Sequence, residues 1–123
     1  MDFDIDHLGR LRSAVATVAA DVSLEAERAA DLVLAVNELA TNSICHGGGE
    51  GTLLIWREGR TLLCEVRDSG HIPDGSFHHD AERPDPDAMS GRGLWLVDQL
   101  CDAVQIISSP GSGSAVRVRM HLP

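Results

Sequence analysis

Three polar side chains recur every four residues in an otherwise apolar segment: Glu38, Asn42 and His46. At ~3.6 residues per helical turn they share one helix face, where an acid, an amide and an imidazole would line one wall. A carboxylate beside Leu39 and Ile44 is seldom fully buried without a partner. The stripe therefore indicates either a polar site or a solvated helix surface, and the spacing alone leaves both interpretations open.

Two glycine-containing motifs follow downstream. The tripeptide DSG at 68–70 comes after a strand-like run, which places Asp68 where the chain leaves a sheet and turns. The tetrapeptide GRGL at 91–94 precedes an apolar pattern of helical period, so it lies at the start of a helix. Free amide groups and the positive end of the helix dipole favour a phosphate there. Ordinary turn chemistry is the alternative explanation of these glycines.

These motifs, ExxxN in LAVNELATNSICHG, DxG in VRDSG and GxGL in GRGLWLV, together resemble the GHKL superfamily of ATP-binding domains. Within that superfamily the chain is most similar to the bacterial anti-sigma factor serine/threonine kinases and related small regulatory proteins. The resemblance covers nearly the whole chain. It implies a histidine-kinase-like fold of the Bergerat type, with ATP as the bound nucleotide and Mg²⁺ as the cofactor.

The resemblance also implies roles for three side chains. Asn42 matches the magnesium anchor, and an amide oxygen beside phosphate oxygens suits a metal that keeps several waters. Glu38 matches the general base, which takes a proton from an attacking water or serine hydroxyl, with a surface carboxylate as the alternative. Asp68 matches the carboxylate that accepts a hydrogen bond from the exocyclic amine of adenine, which guanine lacks at that position.

Further residues are implied as nucleotide contacts: Gly70, Gly91, Arg92, Gly93, Leu94, Ser114 and His46. Ser114 lies near the place where relatives often carry a threonine in the adenine pocket. Arg92 is either a bidentate phosphate clamp or a solvent-facing side chain. His46 either supports the site or caps the end of its helix.

Apolar periodicity predicts three helices and about four strands. The first helix covers about residues 6–21, and the second begins after a Ser23 cap and ends at the glycines 47–49. The third follows GRGL. The strands are expected at 51–57, 61–67, 103–109 and in a last segment whose Val116, Val118, Met120 and Leu122 face inward.

Residues 71–90 contain three of the five prolines, several acids and no apolar period, which predicts a loop. A structureless stretch of this length is commonly a lid over a ligand. In the resembling family the ATP lid occupies this position. His78, His79 and Asp80 in the loop raise a metal site as an alternative, although adjacent histidines lack the spacing that makes a zinc site specific.

These elements predict an α/β protein built as a two-layer sandwich, with helices on one face of a mixed, mainly antiparallel sheet. Residues 1–123 are expected to form a single ATP-binding domain. Members of the resembling family usually begin with an additional strand, for which only Phe3, Asp4 and Ile5 are available here. A module of a longer protein is therefore a second interpretation of the chain.

The charge balance excludes several functional classes. With 19 acidic residues, 10 arginines and no lysine, the net charge of −9 argues against direct binding of nucleic acid. The lack of lysine also removes a Walker-type phosphate loop. A Rossmann site fails because no third glycine follows Gly93 at the required distance, and because the acidic residue of the pattern precedes the glycines.

Cys45, Cys64 and Cys101 form no CxxC pair and lie in apolar stretches, so buried, reduced thiols are expected. A signal peptide, a membrane-spanning apolar run and a lipidation motif are all missing from the sequence. These features predict a cytoplasmic protein without membrane contact.

The leading functional hypothesis, carried by the resemblance, is an ATP-dependent protein serine kinase and anti-sigma factor. It would phosphorylate an anti-anti-sigma antagonist, hold a sigma factor inactive and act as a homodimer, as in the family. One alternative is a catalytically silent nucleotide-binding module that sequesters a partner. Another is the ATP domain of a larger sensor or histidine kinase, disfavoured because no histidine-bearing dimerisation helix precedes the motifs.

Overall fold

Apolar residues at every third or fourth position build the helical layer of the protein. In the computed structural model, residues 1–70, 91–109 and 113–123 are described, with the backbone alone for residues 91, 92, 108 and 109. The helices are α1 (Leu8–Asp21), preceded by a 3₁₀ turn (Ile5–His7), α2 (Ala26–His46) and α3 (Gly91–Leu100). The predicted helices are thus confirmed. Residues 71–90, for which the sequence predicts a lid and which include the three candidate metal ligands, lie outside the described residues.

Five strands form the second layer: β1 (Asp2–Asp4), β2 (Glu50–Glu58), β3 (Thr61–Asp68), β4 (Ala103–Ser109) and β5 (Gly113–His121). Their spatial order is β1-β2-β3-β5-β4. Every strand pair in the described part of the chain is antiparallel, so the predicted mainly antiparallel sheet is confirmed. The β3–β5 pairing matters most for the site, because its register brings Asp68 opposite Ser114.

The core lies between the helices and one face of the sheet. Residues at alternate positions of β3 and β5 point toward the helices, as the strand period of two requires. The buried residues that form this core include Leu11, Val15, Leu32, Val36, Leu39, Leu53, Leu62, Cys64, Val66, Leu94, Val97, Val116, Val118 and Met120. Helix α2 occupies the middle of the helical layer, where it contacts α1, α3, β2 and β3. Its last turns lie above the end of β3, where Ser43 bonds Asp68.

The opposite face of the sheet, which we call the open face, is covered by none of the three described helices. Cross-strand pairing places on it Thr52, Leu54, Trp56, Leu63, Glu65, Arg67, Gln105, Ile107, Ala115, Arg117 and Arg119. Glu65 is only 1% exposed. Its carboxylate accepts hydrogen bonds from Arg67 Nε (2.5 Å) and Arg117 Nε (3.0 Å), and the Arg117 guanidinium lies 5.0 Å from the ring centre of Trp56.

The structure adds one strand to the about four that the sequence predicts, and the predicted cap of α2 was wrong. The first strand does form: Phe3 pairs with Gly51 and is buried, because the short segment before α1 can complete the sheet edge beside β2. Ser23 does not cap α2. Its backbone is left-handed (φ 61°), the helix begins at Ala26, and Glu25 stands at the cap position without a side-chain hydrogen bond to the helix.

The cysteines divide into two groups. Burial raises the pKa of the Cys64 thiol to about 12. It is also the main cause that raises the pKa of Cys101 to about 12. Both thiols are therefore protonated and unreactive near neutral pH. Cys45, in contrast, is exposed in the last turn of α2, so the expectation of three buried thiols was wrong at this position. Among the described residues, no helix is both long and apolar enough to cross a membrane.

Candidate functional site

Three hydrogen-bond donors in the described part of the chain hold the carboxylate of Asp68, which lies at the end of β3. Ser114 Oγ donates to its Oδ1 over 2.9 Å, and the backbone N–H of Gly70 donates to the same oxygen over 2.8 Å. Ser43 Oγ donates to Oδ2 over 2.6 Å. Asp68 is thereby fixed between the turn that follows β3, the start of β5 and helix α2.

The last turns of α2 form a wall beside this carboxylate. Ser43 is 1% exposed, because the helix packs this position toward the sheet. Asn42 precedes it and His46 follows one turn later, so both lie near Asp68. We call the resulting space the Asp68 cavity. It is lined by Leu39, Asn42, Ser43, His46, Gly47, Val66, Asp68, Leu94, Ser114 and Val116.

Two glycines permit the close approach of the elements around Asp68. A Cβ on Gly47, where α2 ends, would lie 2.3 Å from Asp68 Cγ. A Cβ on Gly113, at the start of β5, would lie 2.3 Å from the Asp68 carbonyl oxygen, and the φ of Gly113 is +77°. Any other side chain at these positions would push the carboxylate or its strand aside.

Helix α3 closes the cavity from the other side. Leu94 is 1% exposed and lines the cavity, and a Cβ on Gly93 would lie 2.9 Å from Asn42 Nδ2. The first turn of α3 therefore lies directly against the amide of Asn42. Since the N-terminus of a helix carries free N–H groups and partial positive charge, this end of the cavity suits an anionic group.

Most residues predicted from the sequence lie together in this part of the structure. Asn42, His46, Asp68, Leu94 and Ser114 line the Asp68 cavity. Gly70 bonds Asp68, Gly93 lies against Asn42, and Gly91 begins α3. The side chain of Arg92 lies outside what the structure describes.

Glu38 stands apart from that group. It is half-buried one helical turn before Asn42, and it is not among the described residues that line the cavity. Within residues 1–70, 91–109 and 113–123, none of the hydrogen bonds or ion pairs found involves Glu38. The described contacts thus leave the carboxylate of Glu38 free to meet a group outside the cavity.

Sequence reasoning missed Ser43 and Gly47 as members of the site. A signal for Ser43 was present, since a polar residue stands in the apolar stripe of α2, four residues after Leu39. Gly47 was interpreted only as a helix stop. Its contact with Asp68 depends on the packing of α2 over β3, which local sequence patterns do not encode.

A wider groove opens beside β1 and β2, lined by Asp2, Glu50, Arg67 and Asp68 among others. It shares Asp68 with the Asp68 cavity, but no residue of α2 lines it. We therefore assign the site to the Asp68 cavity, where an amide, a carboxylate and the start of a helix converge.

The side chains that line the cavity suit a magnesium ion whose ligands come mainly from a bound molecule and only in small part from the protein. Within the described residues, His, Cys, Asp and Glu form no group of three or more that would make a protein metal cage. Asn42 offers one amide oxygen. Mg²⁺ is often bound by one or two protein oxygens together with phosphate oxygens and water, so the single amide of Asn42, on α2 beside the start of α3, fits that chemistry.

The described residues thus form a two-layer α/β sandwich with three helices on one face of an antiparallel sheet, and Asn42 and Asp68 meet in it beside the start of α3. The chain belongs to the histidine kinase-like ATPase domain family, which matches residues 1–120.

Its relatives include the anti-sigma F factor of Clostridium acetobutylicum, which is 31% identical over 113 residues, covering 85% of this chain and 78% of the relative. The anti-sigma F factor of Thermoanaerobacter sp. (strain X514) is 28% identical over 123 residues, covering 90% of this chain and 82% of the relative. Among solved structures, the Acinetobacter baumannii histidine kinase AdeS is similar with a TM-score of 0.55 and 14% identity, over 99% of this chain and 66% of that one. This last likeness concerns the fold alone.

Proposed function

We propose that the protein binds ATP with Mg²⁺ in the Asp68 cavity and acts as an anti-sigma regulatory factor with protein serine kinase activity. The observation that carries the proposal is the meeting of Asp68 and Asn42 in one cavity at the start of α3. Membership of the ATPase family and the similarity to two anti-sigma F factors support it.

The base would lie between the apolar residues of the cavity, which are Leu39, Val66, Leu94 and Val116. A purine buries flat, apolar faces, whereas its edge carries the polar groups that specify it. In every hydrogen bond described for it, the Asp68 carboxylate is the acceptor, so it would offer an acceptor to the ligand as well. An exocyclic amine on the base satisfies that acceptor, and the 6-oxo group of guanine would be repelled.

The phosphates would then extend toward the start of α3, with Asn42 as the protein ligand of Mg²⁺. When bound, the metal would neutralise charge on the phosphate oxygens. Glu38, one turn from Asn42, is proposed to take the proton from a serine hydroxyl of the antagonist as that oxygen bonds to the γ-phosphorus, while the bond from the γ-phosphorus to the bridging oxygen breaks and ADP leaves.

The proposed partners are a sigma factor, which the protein would hold inactive, and an anti-anti-sigma antagonist that carries the serine. The similarity to anti-sigma F factors supports the first, and the second rests on the resemblance of the motifs. We also propose a cytoplasmic homodimer that packs through the open face. Three of the eight arginines with described side chains, Arg67, Arg117 and Arg119, lie on that face, while Asp2 lies on its β1 margin.

A nucleotide-binding module without phosphotransfer is the second candidate. It is favoured by one observation, namely that no described contact orients the Glu38 carboxylate. Catalytic bases are commonly held in place by neighbouring groups, so a base without such support would act slowly or not at all.

Calorimetric titration with ATP, ADP and GTP tests nucleotide binding. We expect binding of both adenine nucleotides in the presence of Mg²⁺ and none of GTP. Asp68→Asn should weaken ADP binding by about tenfold to a hundredfold, because it removes a charge-assisted hydrogen bond and presents a donor to the amine. An unchanged affinity in this variant would remove Asp68 from the site.

Incubation with γ-labelled ATP and candidate antagonists separates the two functions. Label on a serine of the antagonist supports the kinase. Tight ATP binding without transfer or hydrolysis favours the silent module. If the protein binds no adenine nucleotide, both proposed functions, the kinase and the silent nucleotide-binding module, are overturned.

A further inference from the structure

The acceptor capacity of Asp68 is almost filled by the protein itself. Each oxygen of a carboxylate offers about two acceptor positions. Oδ1 already receives the Ser114 hydroxyl and the Gly70 N–H, at 2.9 and 2.8 Å. Among the described residues, Oδ2 receives a hydrogen bond from Ser43 Oγ alone, at 2.6 Å. A ligand in the cavity therefore finds its free acceptor position on Oδ2, the oxygen that Ser43 holds.

The position of Oδ2 depends on Ser43 more than on any other described side chain. The Ser43 hydroxyl is the one described group that bonds this oxygen, and its residue is 1% exposed in the rigid middle helix. The backbone of Gly47 packs against the same carboxylate and leaves no room for a side chain at position 47. Without the Ser43 hydroxyl, Oδ2 would lose its fixed direction and gain a second acceptor position, which water or a different ligand edge can use.

We propose that Ser43 is a specificity-determining positioning residue, which acts through Asp68 to direct Oδ2 at an exocyclic amine of the ligand. The ligand class is a 6-aminopurine nucleotide. This inference rests on the proposed nucleotide binding and adds to it the residue that sets the selectivity for the amine. Ser43 touches the carboxylate and not the reacting phosphates, so its removal should alter recognition of the base.

The test compares two diphosphates that differ only in that amine: ADP and purine riboside diphosphate, which carries hydrogen at position 6. Calorimetry with the full chain gives both dissociation constants for wild type, Ser43→Ala and Thr41→Ala. Thr41 is a matched control, because its hydroxyl bonds the helix carbonyl of Asn37 and not Asp68. We expect Ser43→Ala to weaken the binding of ADP by about tenfold, the usual effect of a lost hydrogen bond to a charged group. The affinity for purine riboside diphosphate should stay nearly unchanged.

Equal weakening of both diphosphates in Ser43→Ala would overturn the inference, since a merely structural role changes both alike. An unchanged ADP affinity would overturn it as well. If Ser43→Ala does not fold, Ser43→Cys can replace it, because cysteine has a similar volume and is a weaker donor. A loss of affinity for ADP but not for purine riboside diphosphate would then support the inference, and an equal loss for both would overturn it. Wild-type protein that binds neither diphosphate would instead contradict the proposed function itself.

Discussion

At the residue scale, Glu38 and Asn42 lie one helical turn apart and differ in their surroundings. Asn42 lines the Asp68 cavity and is packed against Gly93, whereas Glu38 lies outside the cavity lining. The proposed roles differ in the same way: Asn42 would bind Mg²⁺ before the reaction, whereas Glu38 would act only while the phosphoryl group is transferred. Substitutions at the two positions should therefore affect different measured constants.

We expect Glu38→Gln to bind Mg-ATP with nearly wild-type affinity and to lose phosphotransfer by about 10²- to 10⁴-fold, the usual contribution of a general base. Asn42→Ala should weaken Mg-ATP binding, and less so when affinity is measured without Mg²⁺, because the metal then contributes to neither protein. Asn37→Ala is the control, as its amide lies on the same helix and bonds Arg12. A wild-type transfer rate in Glu38→Gln, or a metal-independent defect in Asn42→Ala, would refute these roles.

At the element scale, the junction between β3 and β5 determines where Asp68 lies. Gly113 and Gly59 both have left-handed backbones, with φ of +77° and +58°. A Cβ on Gly113 meets the Asp68 carbonyl oxygen at 2.3 Å, whereas a Cβ on Gly59 meets nothing within 4 Å. The two positions thus share the backbone cost of a substitution and differ in the contact with the site.

Gly59→Ala should destabilise the protein by about 1–2 kcal/mol, the cost of a left-handed alanine. Gly113→Ala should cost more than Gly59→Ala and should also weaken ADP binding, because the strand that carries Asp68 must move. Denaturant unfolding and calorimetry measure the two effects. Equal loss of stability in both variants, with ADP binding intact, would show that the β3–β5 junction tolerates the side chain.

Much of this element structure could be predicted from the sequence. The hairpin around Gly59 and the alternation in β5 follow from local patterns, and α2 ends at the glycines 47–49 as expected. What could not be predicted depends on contacts between distant segments. The pairing of Phe3 with Gly51, and the bond from Ser43 to Asp68, join residues 48 and 25 positions apart and exist only once the layers pack.

Glu65, on the open face, should make the stability of the protein depend on pH. Burial by itself raises the pKa of this carboxyl, but the hydrogen bonds and charges of Arg67 and Arg117 outweigh that effect and hold the pKa below its ordinary 4.5. A lowered folded-state pKa stabilises the protein above the unfolded value. That stability is lost as the pH falls from about 4.5 through the folded-state pKa.

Glu65→Gln should therefore be less stable than wild type near neutral pH, and the difference should shrink as the pH falls below 4.5. Urea unfolding over a series of pH values measures it. Glu50→Gln, which changes an exposed glutamate of β2, is the control and should follow the wild-type curve. A constant difference between Glu65→Gln and wild type at every pH would contradict the assigned ion pairs.

At the scale of the whole molecule, a net charge of −9 opposes association of two copies unless a particular surface overcomes the repulsion. The open face offers such a surface, because it concentrates arginines on β3 and β5 and exposes apolar side chains, including Ile107 at 47%. A two-fold axis parallel to the strands and through the middle of the face would place β1 of one copy, with Asp2, opposite β4 of the other copy, and β2 opposite β5.

The homodimer proposal predicts that Ile107→Asp weakens self-association, because an aspartate at a packed interface loses its hydration without a partner. Leu34→Asp is the matched control: Leu34 is 44% exposed on α2, in the helical layer on the other side of the sheet. Sedimentation velocity over a range of concentrations measures the dimer dissociation constant, which we expect to rise about tenfold or more in Ile107→Asp only. A monomeric wild type would reject the homodimer, and a dimer weakened by Leu34→Asp but not by Ile107→Asp would move the interface to the helices.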